Sequence, residues 1–124
     1  VKFQSWRYTS YCITLLAAKA ENINGKVLEA FTKHQYKSGR SPRIVERDVR
    51  AVTSFADFLV SEQSEPSSLR DFQEETLKNF LMSVPENGRK PVSLSIKRFL
   101  SFMEDTGRLD WAEAEDMLAL VKQL

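Results

Sequence analysis

The sequence predicts an all-α fold, a small bundle of roughly four to six helices joined by short connections. Three observations support this prediction. Apolar residues recur every three or four positions through most of the 124-residue chain, the spacing of helices with one buried face. Glycine, proline and asparagine separate these periodic segments. Strand-forming residues are concentrated only in Val1 to Thr14, where the pattern leaves helix and strand both open.

Residues 1–40 are predicted to be a helical N-terminal extension. Thr9 to Glu21 has helical apolar spacing, and the next four residues, Asn22 to Gly25, have a composition typical of a turn. Lys26 to Lys37 forms a second helix, with Gly39 placed to end it. We expect Cys12 to pack as a small hydrophobic residue.

Residues 41–124 are predicted to form the main helical domain, beginning with a helix capped by Ser41 and carrying Pro42 in its first turn. This helix ends near Glu62, and Ser64 to Ser68 form a loop. Its apolar stripe consists of Val45, Val49, Val52, Ala56 and Leu59. At about 100° per residue, the face opposite the stripe carries Arg43, Arg47, Arg50 and Ser54.

Three further helices follow in the second half of the chain. The first buries Phe72, Leu77, Phe80, Leu81 and Val84, has acids near its start, and stops at Pro85. Glu86 to Lys90 is predicted to be a turn, so that the next helix begins between Pro91 and Ser95 and ends at Gly107. Its apolar face is Val92, Ile96, Phe99, Leu100 and Met103. In the last helix Asp110 and Glu113 are spaced like a capping box, and the apolar residues are Trp111, Ala114, Leu118 and Val121.

Composition excludes several classes of site. One cysteine and one histidine cannot form an internal disulfide or a Cys/His zinc site, and we expect a reducing, cytoplasmic setting. No apolar run is long enough for a membrane span, and no signal peptide is recognisable. Phosphate-binding glycine motifs are missing, so no cofactor and no small-molecule substrate are expected. The acids at Glu113, Glu115 and Asp116 are expected to be a solvated face, and His34 a helix-face residue.

Charge is distributed unevenly along the chain. Residues 1–50 contain 10 Lys and Arg against 4 Asp and Glu, whereas residues 51–124 contain 8 against 13. The basic half is the plausible face for a polyanion, although such a division also arises from solubility patterning alone.

Two basic groups are candidates for contact with DNA. The first is Arg43, Arg47 and Arg50, whose guanidinium groups suit phosphates and guanine edges; the alternative is a solvated face with Arg47 paired to Glu46 or Asp48. The second group surrounds the predicted helix start, where Ser93 and Ser95 could add contacts to phosphate. Its basic members are Arg89, Lys90, Lys97 and Arg98.

Three segments together resemble the core-binding domain of tyrosine recombinases, the phage-integrase family. They are SPRIVERDVRAVTSFADFL (41–59), LRDFQEETLKNFL (69–81) and IKRFLSFMEDTGRLDW (96–111), and the order and spacing of their apolar residues carry the resemblance. It covers Ser41 to Leu124 and implies a small orthogonal bundle of the SAM-like kind that clamps double-stranded DNA. In that family the helices corresponding to the two basic groups line one side of the clamp.

The resemblance implies a non-catalytic role for this segment. Recombinases cut DNA with a tyrosine in a separate C-terminal domain, whereas the tyrosines here, Tyr8, Tyr11 and Tyr36, all precede the core-binding-like part. We therefore expect part of a longer bacterial or phage-encoded protein, with DNA and other recombinase protomers as partners. The alternative is a helical protein-interaction module whose contact surface would be the acidic second half and the exposed ends of Leu94, Phe102 and Leu120.

Overall fold

A computed structural model describes the backbone of residues 2–61 and 67–124 and the side chains of residues 18–61 and 67–124. These ranges contain no strand, and their one extended pairing is an isolated bridge between Ser68 and Asp71. The predicted all-α class is confirmed. The five helices are α1 (Lys2–Lys37), α2 (Pro42–Ser61), α3 (Glu74–Ser83), α4 (Glu86–Asp105) and α5 (Trp111–Gln123).

The N-terminal residues form one helix instead of two. The predicted turn over Asn22 to Gly25 is wrong, because α1 runs through it. Asn24 is buried, and its Oδ1 accepts a hydrogen bond from the backbone N–H of Leu69 at 2.7 Å. This tertiary contact occupies the side chain that would otherwise favour a local turn. The expectations for the side chains of Tyr8, Tyr11 and Cys12 concern side chains that the structure does not describe.

The connection from α1 to α2 begins and ends at the residues that the sequence predicts. Gly39 has a φ of +81°, a conformation that glycine adopts without a steric penalty. Ser41 caps α2, since its Oγ accepts a hydrogen bond from the N–H of Ile44 at 3.4 Å. Of the predicted loop after α2, residues 64–66 lie outside the described part of the chain.

Aromatic rings join the helices in one core. Phe31 of α1 packs against Phe99 and Phe102 of α4, with ring centroids 5.4 and 5.3 Å apart. Phe55 of α2 lies 5.0 Å from both Phe72 and Phe80. The second half of α1 thus packs in the same core as the helices that follow it. Other core residues include Val27, Val52, Leu59, Leu77, Leu100, Met117 and Val121.

The start of α4 differs from the prediction. The residues expected to form a turn, 86–90, are its first helical residues, and Pro91 lies inside the helix. Arg89 explains the early start: its Nε and Nη2 donate to the carbonyl oxygens of Leu81 and Val84, both at 3.1 Å. The side chain thus satisfies carbonyl groups at the end of α3 and ties the two helices together.

The C-terminal region follows its predicted boundaries with two corrections. Gly107, with φ +72°, follows α4 as expected, and α5 begins after Asp110, but the Asp110 side chain makes no capping hydrogen bond. Trp111 is 68% exposed, so it is not part of the buried face, which Ala114, Met117 and Val121 form. No helix in the described part of the chain is long and apolar enough to cross a membrane.

Candidate nucleic-acid interface

The arginine face of α2 is open to solvent. Arg43, Arg47 and Arg50 are all exposed, while the opposite side of the helix faces the core. Neither of the two ion pairs found among the described residues involves these arginines. The alternative in which Arg47 pairs with Glu46 or Asp48 is therefore not what the structure contains. Three guanidinium groups without an ion pair among the described residues thus share one helical face.

Asp48 interrupts the buried side of α2 with a carboxylate that is 0% exposed. Its oxygens accept hydrogen bonds from Gln35 Nε2 at 2.6 Å and Ser95 Oγ at 2.8 Å. Arg98 donates to both oxygens, from Nε at 2.6 Å and from Nη2 at 2.9 Å. These four residues are the Asp48 network. Because they come from α1, α2 and α4, the network fixes the three helices in relation to one another.

The Asp48 network corrects the predicted placement of two candidate residues. The Arg98 side chain is only 17% exposed, and its guanidinium group is directed to Asp48 instead of to the outer surface. Ser95 is fully buried and uses its hydroxyl hydrogen on the same carboxylate. A buried carboxylate needs several donors, and residues on the neighbouring helix supply them. The sequence held a signal for this arrangement, since Asp48 lies at helical spacing from Val45, Val52 and Phe55, all buried.

The structure also corrects the predicted placement of two further candidate residues, Arg89 and Ser93. Arg89 is engaged with the carbonyl groups at the end of α3, as described above. Ser93 is buried within α4, about two turns from its start, and its Oγ has no hydrogen-bond partner in the described part of the chain. Because α4 begins at Glu86, neither Ser93 nor Ser95 lies at a helix start where free N–H groups could bind phosphate.

The remaining cations of α4 are accessible. Lys90 is exposed and Lys97 partly exposed, and α4 packs directly against α2. A surface groove separates the outer edges of these two helices, and we call it the α2–α4 groove. It is lined by Arg47, Arg50, Ala51, Ser54, Pro91, Val92 and Ser95. The structure therefore brings the two predicted basic helices side by side and leaves five candidate cations accessible: Arg43, Arg47, Arg50, Lys90 and Lys97.

Acidic residues occupy another part of the surface. Asp71 and Glu74 face Glu113 and Asp116 across a pocket between the start of α3 and α5. Within the described residues, no group of three or more His, Cys, Asp and Glu side chains could hold a metal ion. No ion pair among the described residues joins these four acids to a cation of α2 or α4.

His34 is a helix-face residue, as predicted. Its ring makes an edge contact with Phe102, with centroids 5.2 Å apart, and its Nδ1 is buried with no hydrogen-bond partner among the residues that the structure describes. Arg108 stacks on the same Phe102 ring, with its guanidinium carbon 5.1 Å from the centroid. These contacts place His34 in the packing between α1 and α4.

Comparison with known proteins gave no match among protein-family models, curated proteins or solved structures. The resemblance to tyrosine recombinases therefore depends on the sequence pattern alone.

Proposed function

We propose that this chain is a DNA-binding module that contacts duplex DNA through α2 and α4, as the core-binding part of a site-specific tyrosine recombinase. The observation that carries the DNA-binding proposal is the set of three exposed arginines on one face of α2, none of which forms an ion pair among the described residues. The recombinase part of the proposal rests on the sequence resemblance. Strand cleavage would then belong to a separate domain, and this module would hold the DNA for it.

Phosphate neutralisation would supply most of the affinity. Each phosphate contact releases condensed counterions, so the logarithm of the binding constant falls with the logarithm of salt concentration by about 0.9 per contact. If all five accessible cations contact phosphates, the slope should approach about 4 to 5. An arginine that reaches a base edge would instead contribute to sequence preference.

The test measures duplex binding by fluorescence anisotropy over a range of salt concentrations. Arg47→Ala and Arg50→Ala should each lower the salt slope by about 1 if they contact phosphate, or cost about 1 to 3 kcal/mol at one sequence if they contact a base. Arg70→Ala and Lys122→Ala are matched controls, because both side chains are exposed but lie outside α2 and α4. Equal losses from the control substitutions would show that binding is not localised to α2 and α4.

The second candidate function is a helical protein-interaction module. Exposed apolar side chains favour it, among them Leu94 at 47% exposure and Trp111. Phe102, expected to contribute to such a surface, is buried instead. Association through apolar side chains depends little on ionic strength, whereas DNA binding weakens steeply as salt increases, so the same titration separates the two functions.

A further inference from the structure

The α2–α4 groove differs chemically from the rest of the basic surface. One wall carries Arg47 and Arg50, one turn apart on α2. The rest of the lining, Ala51 of α2 with Pro91 and Val92 of α4, is largely apolar. A concave, mostly carbon-lined surface bordered by two arginine side chains suits a ligand that is itself convex, anionic and partly apolar.

The hydroxyl groups of the groove are committed within the protein. Ser54 Oγ donates to the carbonyl oxygen of Arg50 at 3.2 Å, and Ser95 Oγ donates to Asp48 at 2.8 Å. Neither serine therefore offers a free hydrogen for reading a base edge. Base readout also requires an element that projects into the major groove of DNA, whereas this surface is a depression between two helices.

We infer that the α2–α4 groove seats one sugar–phosphate strand of duplex DNA. Arg47 and Arg50 hold phosphates of that strand, since residues one helical turn apart have Cβ atoms about 5 to 6 Å from each other and can bind neighbouring groups. The carbon face of a deoxyribose packs against Ala51, Pro91 and Val92. This inference rests on the proposed function and adds that the groove positions the DNA backbone without reading its sequence.

The first test fills the groove without changing any charge. Ala51→Leu keeps a good helix-forming residue on α2 but puts a larger side chain into the groove. The leucine would keep the DNA strand away from both arginines. Ala51→Leu should therefore weaken duplex binding by roughly tenfold or more and reduce the salt slope by about 2. Ala119→Leu, at an exposed position of α5, is the matched control and should bind like the parent.

Circular dichroism establishes that each variant is folded. If Ala51→Leu does not fold, Ser54→Leu takes its place, because Ser54 is exposed and lines the same groove. Parent-like affinity and salt slope in a folded groove-filling variant would overturn the inference.

The second test changes the DNA. Neutral methylphosphonates replace one phosphate at a time in duplexes of two unrelated sequences, and binding is measured for the parent and for the Arg47→Ala/Arg50→Ala double variant. The parent should be sensitive at neighbouring positions of one strand in both sequences, and the double variant should have lost that sensitivity. An unchanged pattern in the double variant would overturn the groove assignment while leaving DNA binding intact. If the parent bound no duplex, the proposed function would fail as well.

Discussion

Replacing Arg98 by Met tests the Asp48 network directly. The substitution removes both guanidinium hydrogen bonds to Asp48 but keeps an unbranched apolar side chain in α4. Asp48 has no contact with solvent and would retain only its hydrogen bonds from Gln35 and Ser95. Removing one partner of a buried ion pair costs about 3 to 5 kcal/mol, because the charge that remains is uncompensated. We expect that loss in the free energy of unfolding, a large share of the roughly 5 to 15 kcal/mol of a typical domain.

Urea unfolding followed by circular dichroism measures the effect. Arg70→Met is the control, since that exposed arginine should tolerate the same change within about 0.5 kcal/mol. A double-mutant cycle with Asp48→Ala adds a second criterion: the double variant should lose less than the sum of the single losses, because removing Asp48 also removes the unpaired charge. A loss below about 1 kcal/mol for Arg98→Met would refute the reasoning, since it would mean that the ion pair contributes no more than an exposed one.

Three other substitutions test the fold, each by thermal or urea unfolding. Phe99→Ala should cost about 3 to 5 kcal/mol, because the ring is fully buried against Phe31 and other aromatic rings; parent-like stability would contradict the assigned packing of α4. Gly25→Ala should stabilise the protein by about 0.5 to 1 kcal/mol, because Gly25 lies within α1 and an added Cβ meets, beyond the adjoining helix backbone, no atom of the described residues within 4 Å. A destabilised variant would argue that α1 is interrupted there. Gly107→Ala should instead cost about 1 to 2 kcal/mol, since its φ of +72° strains any residue with a Cβ, and a neutral result would contradict that backbone conformation.

Local signals in the sequence predicted the elements that local chemistry determines. The α2 helix, its Ser41 cap and its buried stripe need only residues within α2 or next to it. Gly39 and Gly107 likewise end their helices through their own backbone conformation. For these elements the sequence pattern and the packed structure agree, because no distant residue alters the local preference.

The two incorrect turns have a different physical origin. Asn22 to Gly25 and Glu86 to Lys90 both have turn-like compositions, yet both are helical. In the first, Asn24 bonds to the backbone of Leu69, 45 residues away. In the second, Arg89 bonds to the carbonyl groups that end α3. Such long-range and inter-helix contacts have no periodic signature, so propensity alone favours the wrong local structure.

The candidate interface was predictable to the extent that exposure follows from helical spacing. The three α2 arginines are exposed because they lie opposite an apolar stripe. On α4 the same reasoning failed for Arg98 and Ser95, because it took no account of the buried acid that they bind. An acidic residue at a core position requires donors from elsewhere, and the residues that meet this requirement are withdrawn from the surface.

The chemistry of the side chains explains how the cations of α4 are divided between structure and surface. Arg89 and Arg98 each donate hydrogen bonds from two nitrogens of the planar guanidinium group to two acceptor oxygens within the protein. Both lysines, Lys90 and Lys97, retain access to solvent. A guanidinium is weakly hydrated and satisfies two fixed acceptors at once, whereas an ammonium group is strongly hydrated and costs more to bury. Beside an acid on a core face, an arginine is therefore a poor candidate for a surface contact, and the lysines of the same helix are the better ones. On α2, where Asp48 faces inward and is already bound by Arg98, the arginines stay exposed and are available for the DNA contact that we propose.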